Sequence, residues 1–223
     1  MATGGATMSK YELRLIEDNL ASGGELAIPA DGINRVNYVV HGVVTIDSQD
    51  LHDDQAWLGR GAVRIAARRT GAVLWRWELA PVAAAAHLPD RANATSRLEL
   101  RRELDWPIAD SVLMRCDSVS FPPGGCAYLH THQGPGIRCL IEGGIRIDTQ
   151  GTSHCYGPGR AWFEAGPEPV FAQAANRATR FIRVMLLPAR LEGQSSISYV
   201  NAEDRDKPKS QRYKMYVDVP ITV

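Results

Sequence analysis

The chain has 223 residues, enough for one large domain or two small ones and for a core that needs no disulfide or metal to form. Its 44% hydrophobic and 22% charged residues are an ordinary globular composition, and 25 basic against 25 acidic side chains leave a formal net charge of zero. That balance argues against a general polyanion binder, so no nucleic acid partner is expected, and no apolar run reaches the roughly 18 residues of a helical membrane span.

The first twenty residues, MATGGATMSKYELRLIEDNL, hold no basic stretch followed by an apolar run, so no secretory leader is expected and a cytoplasmic location is. The chain resembles itself at an offset of 101 residues. Without a gap, Arg14 falls on Arg115, Gly23-Gly24 on Gly124-Gly125, Gly42 on Gly143, and Ile46-Asp47 on Ile147-Asp148. Val36, Val39 and Val40 fall on Ile137, Leu140 and Ile141. After a slip of a few residues, Gly59-Arg60-Gly61 answers Gly157-Pro158-Gly159, and VLWRWELAP answers FIRVMLLP. Two related units over 10–82 and 111–188 are expected, joined by a linker over 83–110 and followed by a tail over 189–223.

Each unit reads as short strands separated by turn residues, an all-β pattern. Val73, Trp75, Trp77 and Leu79 share one face of a period-two segment, with Leu74, Arg76 and Glu78 on the other. In the linker, Ser96 with Glu99 resembles a capping box and predicts a short helix over 97–104. Gly143-Gly144, between RCLI and IRID, predicts a tight hairpin. In the tail, ISYV and YKMYVDV predict strands that add to a sheet of the same chain or of a partner, and a homodimer is expected. Cys116, Cys126, Cys139 and Cys155 lack CxxC spacing and read as reduced thiols.

The segment richest in chemistry is GGCAYLHTHQGPGIRCLIEG, residues 124–143. His130 and His132 are one residue apart, so on a strand both imidazoles face one side and can share a metal ion. Here the sequence resembles the cupin superfamily. The first motif of that family sets a glycine, five residues, His-x-His, a glutamate three or four residues on, and a closing glycine; Gly124, His130, His132 and Gly143 match, while Gly136 or Ile137 stands where the glutamate belongs. The second motif is partly matched over 157–176, with Glu164 at its proline position, Pro169 or Val170 at its histidine and Gln173 at its asparagine. In the first half, Pro29 and Asp31 replace the two histidines and Arg35 the glutamate. The resemblance therefore implies two tandem jelly-roll barrels, with chemistry confined to the C-terminal one.

It further implies a divalent transition metal (Fe, Zn, Mn or Ni) on His130 and His132, with Gln173 as a further ligand. The implied activity is that of an enzyme acting on a small, carboxylated or oxygenated molecule, by Lewis-acid isomerase, lyase or decarboxylase chemistry or by dioxygenation. The alternative is a non-enzymatic ligand-binding or sensor barrel with a relic metal site. A storage protein of the seed-globulin kind shares only the two-barrel plan. Counting in twos from Gly136 turns Arg138 inward, where its guanidinium must meet either a carboxylate (Glu142, Glu164 or Glu168) or an anionic ligand. Tyr128 shares the face of His130 on a regular strand, and with Glu168 it is the candidate for proton transfer. Trp162 and Phe171 are candidates to line the cavity, although core packing explains them equally. His154 is a weaker ligand candidate; His41, His52 and His87 have no partner spacing and read as structural or exposed.

Overall fold

The computed structural model describes residues 10–106, 108 and 111–223. Residues 1–9, part of the segment read for a leader, lie outside the described residues, as do Pro107, Ala109 and Asp110 at the end of the linker. The first half comprises β1 (Tyr11–Leu20), β2 (Glu25–Ile28), β3 (Asn34–Ile46), β4 (Gln49–Leu51), β5 (Ala56–Arg60), β6 (Val63–Pro81), β7 (Asp90–Arg91) and β8 (Ala94–Glu103). All eight belong to one antiparallel sheet in the order β4-β3-β6-β1-β8-β7, with β2 added to β6 and β5 to β3.

The second half comprises β9 (Ser111–Phe121), β10 (Cys126–His132), β11 (Gly136–Glu142), β12 (Ile145–Thr149), β13 (Thr152–Tyr156), β14 (Ala161–Glu164), β15 (Val170–Ala174), β16 (Thr179–Pro188), β17 (Ile197–Tyr199) and β18 (Arg212–Thr222). They form two five-stranded sheets, β13-β12-β15-β10-β17 and β14-β11-β16-β9-β18. The offset of 101 residues reappears as equivalent strands: β1 matches β9, and β3 matches β11 with β12. Gly42 and Gly143 mark the same bend, with φ of +94° and +85°. In the first half the strand runs through it with a shift of register. In the second it breaks, because β11 pairs with β14 and β16 whereas β12 pairs with β13 and β15. Gly143-Gly144 is thus a corner that passes the chain between sheets, not the hairpin its spacing suggests.

The segment expected to be helical over 97–104 is strand β8, paired antiparallel with β1. Ser96, the expected cap, sends its hydroxyl to the Asp18 carboxylate instead of a helix N–H. Its good helix formers are overridden by the open edge of β1, whose backbone groups need partners. Strand β18 of the tail serves β9 in the same way, so the first strand of each half is flanked by a strand from the segment that follows it.

The two halves share one apolar core. Leu13, Leu15, Val36, Tyr38, Trp75 and Trp77 from the first pack with Met114, Cys116, Ile137, Cys139, Ile182 and Val184 from the second. The Trp77 indole donates to the Ile137 carbonyl at 3.2 Å across this junction. Period two then turns Arg14, Arg35, Arg76 and Glu78 to the opposite face of β1, β3 and β6, where all four are buried. There Arg76 pairs with Asp18 at 2.8 Å and Arg35 with Glu78 at 2.9 Å, and Arg14 with Glu12. The carbonyls of Ala84 and His87 cap the network from the linker. Beyond it the first barrel is filled by Leu26, Ile28, Val44, Ile46 and Ile65.

Candidate active site in the C-terminal barrel

The cavity lies between the two sheets of the second half and has about 20 Å³ of free volume, room for about one water. His130 and His132 reach it because β10 carries a bulge. Ala127 pairs with Ala172 and His130 with Val170, three residues on β10 against two on β15. The extra residue places Ala127, His130 and His132 on the inner face and sends Tyr128 out, where Lys207 and Lys209 stand 5.1 and 5.5 Å from its ring centre. The expectation that Tyr128 faces the site assumed a regular strand and is corrected by this bulge.

The imidazoles stand edge to face with centres 4.9 Å apart. His130 Nδ1 lies 2.7 Å from the Tyr128 carbonyl, which fixes the proton on Nδ1 and leaves Nε2 as the acceptor. Burial holds both histidines below the ordinary range. The Glu164 carboxylate partly opposes this at His130, whereas Arg138 and Arg183 reinforce it at His132.

Arg138 is buried beside them. Its Nη1 donates to the Gly136 carbonyl at 2.7 Å, and its Nη2 stands 2.7 Å from Glu164 Oε2 as an ion pair, yet among the described residues no acceptor lies along an Nη2–H bond. Burial lowers its pKa to about 10 despite the opposing field of Glu164. Gly136, at the position of the family glutamate, makes this possible: a Cβ there would come within 2.6 Å of the Val184 carbonyl and 3.0 Å of Arg138 Nη1. The guanidinium folds back over the glycine.

Glu164 Oε2 is also 3.6 Å from His132 Nε2, and Glu164 Oε1 accepts from the Trp162 indole at 2.8 Å. Trp162 is itself buried, stacked on Tyr156 and edge-on to Phe181. It orients Glu164 and is not a wall of the cavity. Across the cavity Arg183 forms a two-pronged pair with Asp117 at 2.6 and 2.9 Å. Burial opposes the Arg183 charge, but Asp117 outweighs it and holds the guanidinium above its ordinary value.

The remaining candidates fall elsewhere. Val170 and Ala172 of β15 line the cavity, so alternation turns Phe171 and Gln173 to the outer face. There the Gln173 amide donates to the Gly124 carbonyl at 2.6 Å, which removes it as a ligand. Glu168 stands in the loop before β15 and is not part of the cavity wall. His154 is exposed on β13. The sequence reading missed Arg183 and Asp117, although setting Pro81 against Pro188 places Arg76 on Arg183 and flags a second inward arginine.

The donor set does not fit a divalent metal. Only two imidazoles are available; the third candidate, Glu164 Oε2, is held by Arg138, and two guanidinium groups face the same small space. Among the described residues, no group of three or more His, Cys, Asp or Glu side chains is arranged to hold a metal ion.

Two back-to-back β units of one plan, the second enclosing a His-x-His strand, define the double-barrel cupin fold. Solved structures agree. The chain is similar to an oxalate decarboxylase from Lactobacillus farciminis, solved as its formate complex, at 11% identity and a TM-score of 0.65 over 90% of this chain and 82% of that one. It is similar to a Bacillus subtilis oxalate decarboxylase at 13% identity and a TM-score of 0.64, over 90% of this chain and 74% of that one. A third likeness is to AerE from Microcystis aeruginosa, at 11% identity and a TM-score of 0.58 over 80% and 88%. No family model and no curated protein sequence matches the chain. No helix among the described residues is long and apolar enough to cross a membrane.

Proposed function

We propose that the C-terminal barrel is an enzyme site for a small carboxylated or oxygenated molecule, in which Arg138 holds an oxyanion and His130 and His132 handle a proton. The observation that carries this reading is the buried Arg138 Nη2, which lacks an aligned acceptor at the wall of a cavity that two uncharged imidazoles also face. A carboxylate or enolate oxygen supplies the missing acceptor and a charge-assisted hydrogen bond. His130, with Nδ1–H committed to a backbone carbonyl, presents Nε2 as the base, and Glu164 beside His132 stabilises an imidazolium formed there. The oxalate decarboxylases among the structural neighbours, one with formate bound, support small carboxylates as the first compounds to test.

Two further readings share this site. A non-enzymatic sensor would use the same oxyanion contact without turnover. A metal-dependent enzyme carrying Fe, Zn, Mn or Ni would require Glu164 to leave Arg138 and join His130 and His132. The test is a titration with formate of protein stripped of metal, followed by the imidazole resonances of the two histidines, in the wild type and in Arg138→Gln. Saturable shifts that are lost in the variant are expected, with circular dichroism confirming its fold. No shift in the wild type overturns the reading. Elemental analysis of protein purified without added metal, repeated on His130→Ala/His132→Ala, decides the metal question: near-stoichiometric metal lost in the double variant would establish a metal centre instead.

A further inference from the structure

The inner cavity is too small for a whole substrate. At about 20 Å³ it holds little more than the oxygen-bearing end of one. A second, larger space of about 410 Å³ opens beside it, and Arg183, Ile197 and Tyr213 belong to the walls of both. The larger space has the size of an ordinary small-molecule site and adjoins the inner one across these three side chains, as an antechamber adjoins a chamber.

The antechamber belongs to the tail. Residues 193–197 and β18 build one side of it over the floor made by β9 and β16. Its charged groups are satisfied within the protein. Arg115 is spent on Asp218 at 2.7 Å and on the carbonyls of Leu191 and Gln194; Asp218 also accepts the Gly193 N–H at 2.7 Å; Asp117 is spent on Arg183. Apart from the neutral side chains of Gln194, Ser195 and Ser196, what is left to meet a ligand is apolar. Tyr213 and Met215 are half exposed, at 50% and 48%, and Ile197 stands at the neck. Half-exposed large apolar side chains on the wall of a concave site mark a binding surface.

We infer that the ligand is a monocarboxylate with an apolar body: the carboxylate passes the neck to Arg138, and the body lies on Tyr213, Met215 and Ile197. A second charge on the body would meet no unpaired opposite charge among the described residues of the antechamber, where Arg115, Asp218, Asp117 and Arg183 are committed to one another or to the backbone. This inference rests on the oxyanion site proposed above.

The probes are formate, hexanoate, phenylacetate and adipate, titrated calorimetrically into the full chain and into Tyr213→Ser/Met215→Ser, whose side chains are surface-exposed enough to leave the fold intact. Hexanoate or phenylacetate is expected to bind about tenfold or more tighter than formate, from apolar burial alone, and adipate no tighter than formate. The double variant should abolish the gain of hexanoate and phenylacetate over formate, compared within that variant because Tyr213 also lines the inner cavity. Equal affinities for formate and the longer monocarboxylates, a gain that survives the double variant, or adipate matching hexanoate overturns the inference and leaves the oxyanion site standing. If no carboxylate binds the wild type, the oxyanion site itself fails.

Discussion

Arg138 and Glu164 face each other across β11 and β14 at 2.7 Å, both buried, with Glu164 standing opposite Gly136 in the register of the two strands. Removing one partner strands the other. Glu164→Gln keeps the Trp162 hydrogen bond but leaves the guanidinium without a counter-charge, an expected loss of about 3–5 kcal/mol. Arg138→Met combined with Glu164→Gln is expected to recover much of that loss. Urea unfolding of the two single variants and the double variant measures the coupling, and strict additivity would contradict it.

Asp54 ties the halves together. From a turn with φ of +63° it accepts from Tyr38 at 2.8 Å within its own half, and from Arg180 and Lys214, both at 2.7 Å, and Tyr216 in the other. Burial disfavours its charge, but hydrogen bonds from Lys214, Tyr216, Tyr38 and Arg180 outweigh this and hold its carboxyl below the usual range. A depressed folded value means that the contribution is complete above the unfolded pKa of about 3.9 and is lost as pH falls through the folded value. Asp54→Asn should therefore lower stability at pH 7 and shrink the difference from wild type as pH falls below about 4. Denaturant midpoints at both pH values check this; a difference that persists in acid would point to packing instead.

Most of the architecture was legible in the sequence because the repeat and the period-two pattern both record backbone geometry. Gly42 and Gly143 coincide at one bend, and Trp75 and Trp77 lie on the face they share with the core, as their spacing requires. The site was legible only in part. His130, His132 and Arg138 could be placed by counting in twos, whereas Tyr128 could not, because a single inserted residue in β10 turns it outward and leaves no compositional trace. Phe171 and Gln173 were lost through phase: a motif position gives no information on which face of β15 turns inward. The helix expected over 97–104 failed because Ser96 and Glu99 satisfy a local rule while the edge of β1 imposes a distant one.

Asn37 stands, at the offset of 101, where Arg138 stands in the second barrel. It is fully buried, and neither end of its amide has a hydrogen-bond partner among the described residues. Orphaned amide atoms cost about 1–3 kcal/mol, and the charged neighbours Arg35, Arg76 and Glu78 have ion pairs of their own. Asn37→Val, nearer in volume than leucine and well suited to a strand, is expected to raise stability by about 1 kcal/mol, read as a higher urea midpoint at unchanged slope. A destabilised variant would mean that the amide interacts with the salt network in a way the hydrogen-bond geometry does not record.

Gly143 and Gly151 separate two reasons for a glycine. Both have positive φ, +85° and +70°. A Cβ on Gly151, in the turn between β12 and β13, meets nothing within 4 Å, so Gly151→Ala should cost only the backbone strain of about 1–2 kcal/mol. A Cβ on Gly143 would lie 2.4 Å from the Ala178 carbonyl and 2.6 Å from the Thr179 Cα, both backbone atoms of the chain entering β16. Gly143→Ala must push that chain away, and β16 carries Phe181 and Arg183 into the cavity. The expected loss is about 3 kcal/mol or more, accompanied by weaker carboxylate binding, whereas Gly151→Ala should leave binding unchanged. Thermal melts and the formate titration, run on both variants, separate strain at a free turn from strain passed into the site.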